Sequence, residues 1–197
     1  MGFDGMLKGR IAPRLRELGF KGSGAVYLLP DEELWVQLGF QKARGNTADE
    51  QRATVNLSVV PKAEWERVRE WYPRFPARPK PGTEYVGSPR SPERIGQVMP
   101  GEQGDHWWSF RSDDPAGGER AAEELLAAIV EHGLPWLRAE ADRVRAEPAA
   151  GWPAAATGGG PQGSGGGSGE GSGGRPGEGT GEGSVEGRGD GSGEGPR

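Results

Sequence analysis

The chain has 197 residues, 27% of them charged, with 37 glycines, 17 prolines, no cysteine and a formal net charge of −5. Without cysteine there is no disulfide, no thiolate nucleophile and no Cys-based zinc site. The acidic balance disfavours sequence-independent binding to DNA or RNA phosphates, and no apolar run is long enough for a signal peptide or a membrane span.

Composition divides the chain. Residues 1–150 hold nearly all the large apolar side chains, whereas 151–197 form a Gly/Ser/Glu/Pro-rich tail. From Gly158 onward about half the residues are Gly, and Val185 is the single aliphatic side chain beyond Gly and Pro. Such a segment buries too little apolar surface to offset the entropy of ordering, so the tail is expected to be disordered. The remainder suits one domain with one core.

The first helix is expected from about Asp4 to Leu18, with Asp4 as its cap and Leu7, Ile11, Leu15 and Leu18 on one face. Pro13 should kink it or mark the start of its regular part. Gly19 supplies a left-handed end, and Phe20 folds back onto the last turn. A turn follows over Lys21–Gly24, then a strand over Ala25–Leu29 and a second turn at Pro30-Asp31-Glu32.

Two strands with clean alternation come next, over 33–42 and 52–60. Pairing them antiparallel with Gln41 opposite Thr54 sets Phe40 against Val55, Leu38 against Leu57 and Val36 against Val59. Every apolar residue then faces one way, and a slip of one residue would expose them all. The other face is polar and uncharged, with Gln37, Gln41, Thr54, Asn56 and Ser58.

A short helix is expected over 64–72 through Trp65, Val68 and Tyr72. The proline-rich 73–92 reads as a long loop with one extended piece at 84–86. Strands are expected over 94–98 and 106–111. Asp114 and Pro115 open a helix that runs to about His132 and stops at Gly133. A last helix starts at Leu134-Pro135 and ends before Pro148. The sum is an α+β domain over 1–150: a mainly antiparallel sheet with helices packed on one face.

Five phrases recur in this order: Arg-Leu-Arg-Glu-Leu-Gly-Phe-Lys (14–21), Leu-Trp-Val-Gln-Leu-Gly-Phe-Gln-Lys (34–42), Thr-Val-Asn-Leu (54–57), Asp-His-Trp-Trp-Ser-Phe (105–110) and Gly-Leu-Pro-Trp-Leu (133–137). Together they resemble a bacterial family named domain of unknown function 4304, over about Met6 to Leu137. The resemblance implies a small cytoplasmic bacterial α+β protein and carries no activity with it. The Ala/Gly/Arg/Pro-rich usage points the same way, toward a high-GC bacterial genome.

Few residues suggest chemistry. Asp105 and His106 are adjacent on an expected strand, so they point to opposite faces and do not touch. His132 at a helix end suits the helix dipole. With two distant histidines no metal site is expected, and no cofactor either. Gly-Phe-Lys-Gly-Ser-Gly (19–24) follows a helix and precedes a strand, the reverse of the order that aims amides at a phosphate.

The best candidate site is the polar sheet face. Gln37, Gln41 and Asn56 sit on adjacent strands, with Lys42 and Arg44 at the rim. One of Trp107 and Trp108 enters the core and the other faces this surface or finds different cover. The competing and weightier reading is that the amides satisfy one another or a covering loop. The function class this supports is a non-enzymatic binding domain, of which an immunity or accessory protein is one form. The alternative is a small-molecule enzyme using the face around Gln37, Gln41 and Asn56. The expected partner is a protein or a small molecule, with no nucleic acid and no membrane, in the cytoplasm.

Overall fold

The computed structural model describes residues 2–147 except Gly87, Pro89, Glu102 and Gln103, so the expected tail lies outside the described residues. The first helix has three segments: α1 (Phe3–Met6), a π-helical turn (Leu7–Ile11) and α2 (Ala12–Glu17). It begins before Asp4, which lies in the first turn rather than capping it. Pro13 has no N–H and its ring crowds the carbonyl four residues back. The wide π turn just upstream absorbs that mismatch, and regular α-helix starts at Ala12. Gly19 takes φ 91°, and the Phe20 N–H closes the end on the Leu15 carbonyl at 2.9 Å.

Six strands form one antiparallel sheet: β1 (Lys21–Ser23), β2 (Val26–Leu29), β3 (Leu34–Lys42), β4 (Glu50–Pro61), β5 (Glu93–Arg94) and β6 (Trp108–Arg111). The order is β1-β2-β3-β4-β5, and β6 pairs with the N-terminal end of β4. The β3–β4 register is the one the alternation demands, with Gln41 opposite Thr54 and Leu38 opposite Leu57. β1 replaces the turn expected over Lys21–Gly24: it forms a hairpin with β2, Ser23 opposite Val26.

The remaining helices are α3 (Lys62–Trp71), α4 (Ile95–Val98), α5 (Pro115–Ala128) and α6 (Leu134–Ala146). The expected strand over 94–98 is therefore two residues of strand followed by a helical turn. The Gln97 side-chain oxygen accepts the Arg94 N–H at 2.8 Å and so satisfies one of the donors at this helix start. No strand forms over 84–86.

Gly133 does not stop a helix. A second π turn (Ile129–Gly133) joins α5 to α6, ahead of Leu134-Pro135 just as the first stands ahead of Ala12-Pro13. Gly133 is right-handed helical, φ −65° and ψ −49°. A Cβ there would lie 3.4 Å from Ile95 Cδ1 and 3.6 Å from Leu57 Cδ2, ordinary van der Waals contact, so the position has room for a methyl group. His132 thus sits inside a continuous helix, and the helix-end role falls away. Asp114 caps α5 as expected, accepting the Gly117 N–H at 2.9 Å.

The helices α1, α2, α5 and α6 bury one sheet face, where Leu38, Val55, Leu57, Ile129 and Leu137 form the main core. The other sheet face is covered too. There α3 contributes Trp65 and Val68 to a second cluster with Val60, against which Trp35, Phe75 and Tyr85 pack.

Candidate functional site

Strand alternation turns Trp35, Gln37, Gly39 and Gln41 of β3, with Thr54, Asn56 and Ser58 of β4, away from the main core. This face is not open. Residues 76–83, here called the strap, run across it between fixed points. The Trp65 indole N–H donates to the Pro76 carbonyl at 3.1 Å, and the Lys80 N–H donates to the Tyr85 hydroxyl at 3.2 Å. Pro81 rests on Gly39, where a Cβ would come within 2.8 Å of the proline Cγ. Gly82 rests on Asn56, where a Cβ would meet Nδ2 at 2.8 Å. Both contacts need glycine. On this face Gln37 is 0% exposed, and Thr54, Asn56 and Ser58 are buried.

A cleft of about 930 Å³ remains between the strap and the β2–β3 side of the sheet. Gly39, Gln41 and Asn56 line it from the sheet, and Trp35 and the strap prolines wall it. The Asn56 side-chain amide donates to the Gln41 carbonyl oxygen at 3.3 Å. That leaves the Gln41 NH2 group and the Asn56 carbonyl oxygen without a further hydrogen bond among the described residues. They form a donor and an acceptor side by side. Three cations complete the lining, Lys42, Arg78 and Lys80, with no carboxylate, imidazole or thiol.

The sequence candidates divide three ways. Gln41, Lys42 and Asn56 come together in the cleft. Gln37 is fully buried outside the cleft lining, and neither end of its amide has a hydrogen-bond partner among the described residues. Arg44 is exposed and lies outside the cleft lining. Trp108 is the core tryptophan, 4% exposed, with His106 edge-on to it at 4.5 Å. Trp107 is half-buried between two guanidinium groups, Arg52 at 5.6 Å and Arg94 at 5.5 Å, and does not line the cleft. Asp105 faces Arg94 at 3.4 Å.

Sequence reasoning missed Trp35, Arg78 and Lys80. Trp35 alternates with the amides and so belongs to their face; its ring carries Lys62 at 4.8 Å and Arg78 at 5.9 Å. Arg78 and Lys80 stand in a proline-rich segment with no periodicity to place them. Among the described residues no group of three or more His, Asp or Glu is arranged to hold a metal ion, and no helix is long and apolar enough to cross a membrane.

The cleft lining thus combines a neutral amide pair with three cations. No curated protein and no solved structure matches the chain. A family model does match, over residues 11–139, a span that contains the whole sheet and most of the cleft's supporting helices. The chain belongs to that family, Domain of unknown function (DUF4304), the one its five ordered phrases resemble.

Proposed function

We propose that this domain binds a small molecule in the cleft between β2–β3 and the strap and does not transform it. One observation carries the reading: the free ends of the Gln41–Asn56 amide pair open on a cleft lined by no carboxylate, imidazole or thiol. Small-molecule sites combine mostly apolar walls with a few fixed polar groups, in volumes of roughly 300–1,000 Å³. The enzyme alternative would have to run on Lys42 or Lys80, because the cleft lining holds no carboxylate, imidazole or thiol. An accessory or immunity role is compatible with recognition without reaction. A cytoplasmic bacterial setting agrees with the absence of cysteine and with the residue usage.

The test is ligand-observed NMR with a library of small polar metabolites, run on the wild-type chain and on Val26→Trp. Val26 lines the cleft from β2, opposite Gly39, so an indole there projects into the cleft beside the Gln41–Asn56 pair. Compounds that bind wild type should be lost from Val26→Trp while its circular dichroism is unchanged. Gln41→Ala should weaken them with a stability change within about 1 kcal/mol. Equal binding to a folded Val26→Trp would place the site elsewhere.

A further inference from the structure

We infer that the ligand of this cleft is a small organic oxyanion, a carboxylate or a phosphate ester, gripped by Arg78 and Lys80 of the strap; this rests on the cleft being the binding site. The chain has 29 acidic and 24 basic residues. Against that acidic background the cleft is lined by three cations and no carboxylate. Neither Arg78 nor Lys80 forms an ion pair among the described residues, whereas most other arginines do, as Arg90, Arg111, Arg143 and Arg145 show. Lys42 is held by Asp4 at 3.3 Å, but both side chains are more than half exposed, so this pair is weak and yields readily to a ligand.

The strap also prepares these cations. Pro76, Pro79 and Pro81 bracket them and fix φ at three of six positions, so little backbone freedom is left to lose on binding. Trp35 holds the Arg78 guanidinium by its ring face at 5.9 Å. That contact leaves the N–H fork open, and the planar fork matches both carboxylate and phosphate oxygens. The Tyr85 hydroxyl anchors Lys80 through its backbone. On the sheet side of the same cleft the Gln41–Asn56 pair presents a neutral donor and acceptor. The layout suits a molecule with a charged head and a polar, uncharged body.

The experiment is titration calorimetry of the full chain with matched pairs: adenosine monophosphate against adenosine, and indole-3-acetate against indole, with inorganic phosphate and a single-stranded oligonucleotide alongside. At least one anion should bind about tenfold more tightly than its neutral partner. Its affinity should fall between about 0.02 M and 0.3 M salt, as screening requires. The double variant Arg78→Gln/Lys80→Gln should lose about tenfold of it. The nucleotide and the indole acid tell a phosphate source from a carboxylate source. Equal affinity for the neutral partners, an unaffected double variant, binding of the oligonucleotide alone, or no binding of any anion overturns the inference. Val26→Trp separates it from the reading beneath it. Loss of binding in Val26→Trp with none in the double variant keeps the cleft and removes the oxyanion. Retention in Val26→Trp removes the cleft itself.

Discussion

Gln37 is buried between Trp35 and Gly39 on one face of β3, opposite Ser58, and its amide has no hydrogen-bond partner at either end among the described residues. A buried amide without a partner is costly, by roughly 1–3 kcal/mol in protein contexts. An apolar side chain of similar shape avoids that cost. Gln37→Met should therefore leave stability unchanged or raise it by about 1 kcal/mol in urea unfolding. Leu57→Ala, on the opposite sheet face and fully buried, should cost roughly 2–5 kcal/mol by opening a cavity. Ser58→Ala should cost much less than Leu57→Ala. If Gln37→Met proves as damaging as Leu57→Ala, the amide is hydrogen-bonded in solution. The face that each of these residues occupies was legible in the sequence, because alternation fixes it. Their burial was not: alternation says which residues share a face and nothing about what comes to cover it.

The same contrast runs through the elements. β3 and β4 carry nine-residue and twelve-residue patterns whose apolar positions agree only in one register, and the structure has that register. The strap was illegible because prolines replace periodicity, and its seat on the sheet depends on contacts distant in sequence, Pro81 on Gly39 and Gly82 on Asn56. Prolines misled in the helices as well. Gly133-Leu134-Pro135 has the local chemistry of a helix end, yet the chain stays helical because one π turn absorbs the missing N–H. Gly19 and Gly133 look alike in sequence, each after an apolar helix, and they differ in backbone: φ 91° against −65°. Gly19→Ala should cost about 1 kcal/mol or more, because an L side chain is strained there. Gly133→Ala gains helix propensity of about 1 kcal/mol, and its Cβ makes ordinary contact with Ile95 and Leu57. Its net change should stay within about 1 kcal/mol. Thermal unfolding of the two variants checks the pair; the reverse ranking would restore a helix break at Gly133.

Across the whole molecule, ion pairs tie the end of α6 to distant segments. Arg145 pairs with Asp31 in the β2–β3 turn, and Glu147 accepts from Arg90 at 2.7 Å. Burial pushes the Asp31 carboxyl up, but the Leu34 and Glu33 N–H groups and the Arg145 charge outweigh it, so its pKa lies below the ordinary 3.8. The Arg90 hydrogen bond lowers Glu147 likewise from 4.5. A depressed carboxylate pKa stabilises the fold fully above the unfolded value, and that contribution is lost as pH falls through the folded one. Asp31→Asn keeps an oxygen for both backbone N–H groups and removes the charge. It should be less stable than wild type at about pH 7, with the gap closing below about pH 4; a constant gap in urea midpoints would mean the charge contributes nothing. The tail presents the last whole-molecule question. Both core clusters lie between Phe3 and Val144, and the Gly-rich composition after Gly158 offers almost no apolar surface to add to them. Truncation after Ala156 should therefore shift the thermal midpoint by less than about 4 °C, the change that about 1 kcal/mol produces in a domain of this size. A larger fall would show that these residues stabilise the domain through polar contacts, since they have almost no apolar surface with which to do so.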